Sequence, residues 1–305
     1  MSVAPASQET LAPAVWRGRR AAHAARADRL VGARRERSRR GESDPVEDFL
    51  FTYYPFRLAA LRRWTPGAGV ALAEADELVD GRRFLRGADG FVRAALPDPA
   101  QAARLAFSLK LCRAVATRAP FLGCFGLHEW AMVYGLDPRE VRHTALPLRI
   151  PPEAITRAVD EIGLRCTHID AYRFFTVDAT PRNALVPTRA SQPDLEQPGC
   201  LHASMDLYKY AMWFQPFVGS DLVADCFEVA RAARELDMRA SPYDVAEYGL
   251  TPIQVETPRG RRAYAEAQRA LMSRTAPLRE RLLEALTRLD RAAPANVLTH
   301  SRAAR

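Results

Sequence analysis

The stretch from Leu201 to Phe214 constrains the fold most, because it joins an uninterrupted helical pattern to three ionisable side chains. Pro198 and Gly199 signal a turn before it, and no helix breaker follows until Pro216. The apolar side chains that recur here at helical spacing are Leu201, Met205, Tyr208 and Met212. This spacing predicts a mostly buried helix near the centre of the fold.

The three ionisable side chains of this stretch predict a functional site. His202, Asp206 and Lys209 stand at positions i, i+4 and i+7, on a second face of the same helix. Burying a polar group without a partner costs roughly 2–7 kcal/mol, and burying a charge costs more. We therefore expect these groups to pair with each other, with partners elsewhere in the chain, or with a ligand.

Lys209 carries additional weight because lysine is rare in this chain. Of the 44 Lys and Arg residues, only Lys110 and Lys209 are lysines. A buried lysine can change its pKa, and its amine can act as a base or a nucleophile, which arginine cannot do. The alternative is that Lys209 only extends its apolar stem along the surface to reach water.

Histidines near carboxylates or aromatic rings recur in three clusters. They are His128-Glu129-Trp130, His168 with Asp170 and Tyr172, and His202 with Asp206; His143 lies in the same part of the chain. Three interpretations remain open: a metal site, a metal-free acid–base pocket that holds a flat substrate, and buried histidines with purely structural hydrogen bonds. No Glu-x-x-His or His-x-x-x-His spacing falls on a predicted helix, since Glu140-x-x-His143 lies outside the predicted helices, so we predict neither a metal nor a cofactor.

These patterns give a defined set of candidate residues. The predicted catalytic residues are Asp206, His202, Lys209, Asp170 and His168. The predicted substrate-binding residues are Trp130, His128, Glu129, Tyr172, Tyr208 and Trp213. Histidine and aspartate can exchange protons with a substrate, and aromatic faces can hold a flat ring.

The positive charge of the chain is concentrated in one N-terminal segment, the basic arm (residues 1–40). Ten arginines between Arg17 and Arg40 stand against Asp28 and Glu36, which gives 10 − 2 = +8 and equals the net charge of the whole chain. One hypothesis is that the arm binds nucleic-acid phosphates. The arginines assigned to this role are Arg17, Arg19, Arg20, Arg34, Arg35, Arg37, Arg39 and Arg40. The alternative is a helix that Trp16, Leu30 and Val31 anchor to the body.

The remaining pattern predicts a mainly α protein, with one helical domain over residues 41–290 and a disordered tail over 291–305. Helical patterns cover residues 99–119, 127–134, 152–162, 221–238 and 259–289. Short apolar pieces between glycine turns near residues 70–93 predict a small β-hairpin insertion. Asp44 and Ser220 are expected to cap helices, and 253–255 could form a short strand.

The cellular compartment and the type of partner can be predicted from apolar runs, the N-terminal pattern and the cysteines. No apolar run approaches the roughly 18 residues of a membrane span, and the N-terminus lacks the order of a signal peptide. The five widely spaced cysteines suit reduced, buried thiols and form no zinc-binding pattern. We expect a cytoplasmic protein that does not bind membranes, and no protein partner can be inferred.

Six long runs of the sequence are distinctive: VEDFLFTYY, CFGLHEWAMVY, CTHIDAYRFF, LEQPGCLHASMDLYKYA, LVADCFEVARAARELDMRASPYD and VETPRGRRAY. They resemble a family of high-GC bacterial proteins commonly labelled 3-methyladenine DNA glycosylase. The resemblance covers about residues 15 to 280. It implies a DNA-repair hydrolase that removes alkylated bases from double-stranded DNA, and it assigns no catalytic residue. The chain has no helix-hairpin-helix motif with a glycine-rich hairpin before a catalytic aspartate.

The candidate residues are compatible with this chemistry and with two alternatives. Base removal requires a flipped nucleotide, aromatic rings that stack on it and a carboxylate that activates water or stabilises a cationic sugar. The first alternative is an enzyme that acts on a small planar metabolite in the same pocket. The second is a nucleic-acid-binding protein without enzymatic activity, in which the basic arm makes the contacts.

Overall fold

Helices form most of the fold in the computed structural model, which describes residues 9–96, 98–137 and 146–292. The long helices are α1 (Pro13–Arg40), α4 (Ala102–Thr117), α9 (Leu201–Trp213), α10 (Ser220–Ala240) and α11 (Pro258–Ala292). The shorter helices are α2 (Phe49–Tyr53), α3 (Leu58–Leu61), α5 (Leu127–Ala131), α6 (Pro152–Ile162), α7 (Ile169–Tyr172) and α8 (Gln192–Leu195). The predicted mainly α class, with a small β element, is confirmed.

Helix α9 lies at the centre of the helical body. It packs along α10, and α11 packs against α10, α4 and α9. Eleven of its 13 residues are buried, so it has almost no solvent-facing side. A helix that is enclosed all round must be predominantly apolar, and the exceptions must find partners inside the protein. The ionisable side chains of α9 are therefore internal groups.

The small sheet has four strands in the order β1-β2-β4-β3. The strands are β1 (Glu9–Leu11), β2 (Val70–Leu72), β3 (Phe84–Arg86) and β4 (Val92–Ala94). Strands β3 and β4 form an antiparallel hairpin, and β4 also pairs antiparallel with β2, so the predicted β element is present. Strand β1 joins parallel to β2 and was not predicted, because three residues carry too little pattern to identify a strand.

Helix α1 packs against the rest of the protein along one side. Trp16 is fully buried, stacks on Trp64 with the ring centroids 6.2 Å apart, and donates from Nε1 to the carbonyl of Ala73 at 2.9 Å. Val31 is also buried, and Leu30 packs against the core from a partly buried position. These contacts are those expected of a helix anchored to the body.

Two expected helix caps differ in the structure. Helix α2 begins only at Phe49, and Oδ1 of Asp44 instead accepts the backbone N–H groups of Val46 and Glu47 in the preceding turn. Helix α10 begins at Ser220 itself, whose hydroxyl donates to the carbonyl of Thr65 at 3.0 Å. Asp44 therefore stabilises a turn, because Pro45 does not start a regular helix. The Ser220 hydroxyl instead links the start of α10 to a segment that is distant in the sequence.

Two further expectations concern segments without regular structure. Residues 253–255 form no strand. The expected disordered tail lies outside the described residues from 293 onwards, as does His143. Among the helices of the described part, none has both the length and the apolarity that a membrane crossing needs.

Candidate active site

Three histidines from separate segments meet beside the central helix. The ring of His202 lies between the other two, with its centroid 4.7 Å from that of His128 and 5.2 Å from that of His168. All three side chains are buried. The three histidine clusters predicted from the sequence therefore form one site.

Local structure fixes two of these histidines. Helix α5 begins directly after Gly126, which has φ +71°, a conformation that favours glycine, and the helix then carries His128 and Glu129. His168 is the residue before α7, and its Nδ1 accepts the backbone N–H of Asp170 at 3.2 Å. This bond orients the ring so that Nε2 faces the interior.

Carboxylates face the two outer histidines. Nε2 of His128 is 2.8 Å from Oδ1 of Asp237, and Nε2 of His168 is 3.2 Å from Oε1 of Glu196. Burial lowers the pKa of both imidazoles, but the facing carboxylates outweigh it, so the pKa of each lies above the ordinary histidine value. Burial raises the pKa of Glu196.

His202 differs from its two neighbours because no carboxylate faces it closely. Burial and the adjacent rings of His128 and His168 hold the pKa of His202 well below the ordinary histidine value. Within the described part of the chain, Nδ1 of His202 has no hydrogen-bond partner. A buried polar atom of this kind is rare in proteins, and it indicates a place for a ligand, an ion or water.

Asp206 is the most heavily paired carboxylate of the site. Its Oδ1 accepts from the Tyr54 hydroxyl at 2.7 Å, and its Oδ2 pairs with Lys209 and lies 3.5 Å from Nε2 of His168. Burial opposes ionisation, but Lys209 and His168 hold the pKa of Asp206 far below its ordinary value. Lys209 also lies 3.9 Å from Asp170 and over the rings of Tyr210 and Trp213.

A second buried charge cluster joins α5 to α10. One terminal nitrogen of Arg234 donates to Oε1 of Glu129 at 2.8 Å and to Oδ2 of Asp237 at 3.2 Å. The guanidinium lies 3.8 Å above the centre of the Phe49 ring. Arg234 thus compensates part of the negative charge beside His128.

A cavity of about 210 Å³ borders both clusters. The side chains that line it are Phe49, Tyr53, Glu129, Met132, Val133, Asp170, Phe174, His202, Arg234 and Tyr243. Its walls are thus mainly aromatic and apolar, and besides the two tyrosines its polar side chains carry two carboxylates, one imidazole and one guanidinium. An apolar cavity with a few convergent polar groups is the usual form of a small-molecule site. We call this cavity the aromatic pocket.

The structure brings the predicted polar residues together and places the predicted aromatic residues elsewhere. The residues that form the connected site are His128, Glu129, His168, Asp170, His202, Asp206 and Lys209. The four predicted aromatic contacts do not line the aromatic pocket; they are Trp130, Tyr172, Tyr208 and Trp213.

Each of these aromatic side chains has another structural role. Trp130 is fully buried and donates from Nε1 to the carbonyl of Ala240, and Tyr208 is fully buried in the core. Tyr172 packs edge-on against Phe175, and Trp213 lies beneath Lys209. The expectation that they contact substrate therefore has no support from the pocket geometry.

Several site residues were not predicted from the sequence. Asp237 and Arg234 are buried on α10, and Tyr54 reaches Asp206 from just beyond the end of α2. Asp237 could have been predicted from the sequence. It follows Ala230 and Ala233 at helical spacing, so a charged residue occupies the buried face of a helix, where it needs a partner. No sequence feature distinguished Tyr54, because it lies in an aromatic run that is typical of an ordinary protein core.

The arginines of the basic arm are mostly paired with carboxylates. Seven of the eight arginines predicted to bind nucleic acid have such a partner within 4.0 Å, and they are Arg17, Arg19, Arg20, Arg34, Arg35, Arg37 and Arg40. Within the described residues, Arg39 forms no ion pair. This pairing reduces the positive charge that the arm offers to a phosphate backbone.

The chain matches no protein-family model, no curated protein and no solved structure. The family resemblance of residues 15 to 280 therefore stays a prediction.

Proposed function

We propose that this protein is an enzyme that binds a small flat ring in the aromatic pocket and hydrolyses the bond between that ring and a sugar. The observation that carries the proposal is the combination of aromatic walls with the carboxylates of Asp170 and Glu129 around one cavity of about 210 Å³. The first candidate substrate is an alkylated base in double-stranded DNA, the substrate class that the family resemblance implies.

The pocket walls suit a flat ring that carries positive charge. Phe49, Tyr53, Phe174 and Tyr243 offer π-faces or edges, and a cationic ring is attracted to such faces. An N3- or N7-alkylated purine in a nucleotide is such a cation. A base in duplex DNA reaches a pocket of this kind by rotating out of the helical stack, and aromatic side chains then stack on it.

The hydrolysis itself needs water and a stabilised sugar. The bond between the sugar carbon and the base nitrogen breaks, and the base leaves with the bonding electron pair. Water then supplies a hydroxyl to the sugar carbon and releases a proton. Asp170 is the carboxylate of the predicted catalytic set that borders the pocket, and an anion there stabilises positive charge on the sugar. The ion pair with Arg189 holds this carboxylate in position.

A second candidate is the same chemistry on a free nucleoside or another small planar metabolite. The ion pairs of the arm favour it, because arginines that are already paired with carboxylates contribute less to phosphate binding. The pocket walls make no distinction between a free ring and a ring attached to DNA.

The experiment offers methylated duplex DNA and free alkylated nucleosides to the purified chain and measures released base by chromatography. The test variant is Phe174→Ala, because this wall residue is 38% exposed and its removal leaves the core intact. Loss of one stacking ring should lower kcat/KM about 5- to 150-fold, which corresponds to about 1–3 kcal/mol. The matched control is Val177→Ala, which is 88% exposed and outside the pocket, and it should leave kcat/KM unchanged.

Each outcome identifies one of the alternatives. Base release from duplex alone supports the DNA glycosylase, and release from nucleosides alone supports the metabolite enzyme. Duplex binding that weakens steeply with salt but gives no product indicates a nucleic-acid-binding protein. No base release from any of these substrates, or equal rates for Phe174→Ala and the parent chain, overturns the proposal.

A further inference from the structure

We infer that a divalent transition-metal ion binds between α5 and α10, with His128, Asp237 and Glu129 as its protein ligands. This site lies beside the aromatic pocket, and the inference does not depend on the proposed glycosidic activity. The sequence predicted no metal, because these ligands come from two helices far apart in the chain and form no local motif.

The first argument is the geometry of the ligand atoms. One ligand atom from each of His128, Glu129 and Asp237 lies within 4.8 Å of the others, and all three side chains are buried. Buried carboxylates need compensating charge, and coordination to a cation supplies it. The site also has the mixture of imidazole and carboxylate ligands that is common in metalloenzymes.

The second argument is a close contact between two of the ligand atoms. Nε2 of His128 and Oδ1 of Asp237 are 2.8 Å apart, and apart from each other neither atom has a hydrogen-bond partner among the described residues. Two ligands of one ion, each at about 2.0–2.2 Å from it, lie about 3.0–3.4 Å apart. The observed contact is near this spacing, so both lone pairs can be directed at a shared ion.

The third argument is the unpartnered imidazole next to this group. His202 is only 4% exposed, its ring centroid is 4.7 Å from that of His128, and its Nδ1 has no partner in the described part of the chain. His202 is not one of the three ligands, and its free nitrogen is a buried polar atom beside them that lacks a protein partner within the ranges that the structure describes. His202 also borders the aromatic pocket, so an ion here would be close to a bound substrate.

Arg234 is compatible with an ion in this position. It binds Oε1 of Glu129 and Oδ2 of Asp237, so Oδ1 of Asp237 remains for the metal. Carboxylate ligands are commonly held by such outer hydrogen bonds, which fix their orientation. The competing explanation is that Arg234 alone compensates the two carboxylates and no ion binds.

The donor set indicates the class of metal. Imidazole and carboxylate together suit Zn²⁺, Mn²⁺ and Fe²⁺, whereas thiolate ligands would favour softer ions. No cysteine belongs to the three-residue group.

The experiment strips the full-length protein with a chelator and titrates it with Co²⁺ and separately with Zn²⁺. Metal content is measured by elemental analysis after gel filtration, and the cobalt absorption spectrum reports the ligand types. We expect one ion per chain and a rise in Tm on binding. His128→Gln and Asp237→Asn should each weaken binding at least tenfold.

The matched control is His23→Gln. His23 is another buried histidine, and its Nε2 contacts the carbonyl of Leu61 away from the site, so this variant should bind one ion with unchanged affinity. Absence of a bound ion in the parent chain overturns the inference, even if a variant fails to fold. A thiolate-to-cobalt charge-transfer band, or equal affinity in all variants, also overturns it. Base release assays are scored separately, so a failure of the proposed activity leaves this result interpretable.

Discussion

The hydroxyl of Tyr54 donates a 2.7 Å hydrogen bond to Oδ1 of Asp206 across 152 residues of sequence. Since Oδ2 of Asp206 pairs with Lys209 and also lies near His168, both oxygens of this carboxylate are engaged inside the protein. Asp206 is only 1% exposed and does not border the aromatic pocket. These contacts suit a carboxylate that holds Lys209 and His168 in place, and the catalytic role predicted for Asp206 stays a prediction.

Replacing Asp206 with Asn should destabilise the protein strongly. The Asn side chain can still accept from Tyr54, but it leaves Lys209, whose side chain is only 12% exposed, without its nearest counter-charge. Breaking a buried ion pair from one side costs about 3–5 kcal/mol. Urea unfolding of Asp206→Asn beside the parent chain measures this cost.

Asp160→Asn provides the control for that measurement. Asp160 also accepts from a tyrosine hydroxyl and an arginine, namely Tyr134 and Arg182, but its side chain is 47% exposed. Exposed ion pairs contribute at most about 1 kcal/mol, so this variant should be close to the parent chain. Equal losses for the two variants would contradict the central place of Asp206.

Substitutions of Lys209 distinguish a charge from a reactive amine. Lys209→Arg keeps the positive charge beside Asp206, so it should be more stable than Lys209→Met, which removes the lysine counter-charge of that buried carboxylate. If the lysine is only an ion-pair partner, the Arg variant should retain turnover on whichever substrate the parent chain accepts. An Arg variant that folds normally but has no turnover would instead assign the amine a chemical role. Thermal melts and initial rates of both variants provide the comparison.

Truncating Trp16 should show whether α1 is an integral part of the fold. Trp16→Ala removes a fully buried ring and its hydrogen bond to Ala73, and such a change costs about 3–5 kcal/mol. The neighbouring Val15 is 45% exposed, so Val15→Ala should change the free energy of unfolding by no more than about 0.5 kcal/mol. Near-equal stability of the two variants would show that α1 is a detachable arm.

The thiol of Cys112 should resist alkylation in the folded protein. Burial raises the pKa of Cys112 from 9.0 to about 12, so the folded state holds the neutral thiol across pH 9. Because the folded pKa is raised, this group's contribution to stability is complete below pH 9 and is lost as the pH rises towards 12. Iodoacetamide at pH 9 followed by mass spectrometry should modify Cys112 only after urea is added; rapid labelling without urea would be inconsistent with its burial.

The sequence predicted the main helices and three histidine clusters, but it predicted neither the meeting of the three rings nor the carboxylate partner of each. Periodicity located α9, because burial of one helical face leaves a repeating pattern. It could not identify Asp237 as the partner of His128, since that contact depends on how α10 packs and not on local spacing.

The aromatic residues illustrate the same limit. Trp130 next to His128 has the composition of a binding site, but its ring is fully buried and bonded to Ala240. Phe174 and Tyr243 border the pocket without any distinguishing local pattern. A hydrophobic sequence pattern predicts that a ring is buried or half-buried. It does not predict where a pocket lies, because a pocket depends on how several segments pack together.

The ion pairs of Arg26 join two segments that the ribosome synthesises at widely separated times. Arg26 binds Asp225 and Glu228, which follow it by 199 and 202 residues. At about 5–20 residues per second, a ribosome reaches these partners on the order of 10–40 s after Arg26 is made. During this interval α1 lacks the α10 surface against which it packs in the folded protein. The nascent chain therefore carries Arg26 without its two carboxylate partners until α10 emerges, whereas Asp48 and Glu77, which pair with Arg37 and Arg17, follow α1 closely in the chain. Until then, the side of α1 that α10 covers is open to chaperones.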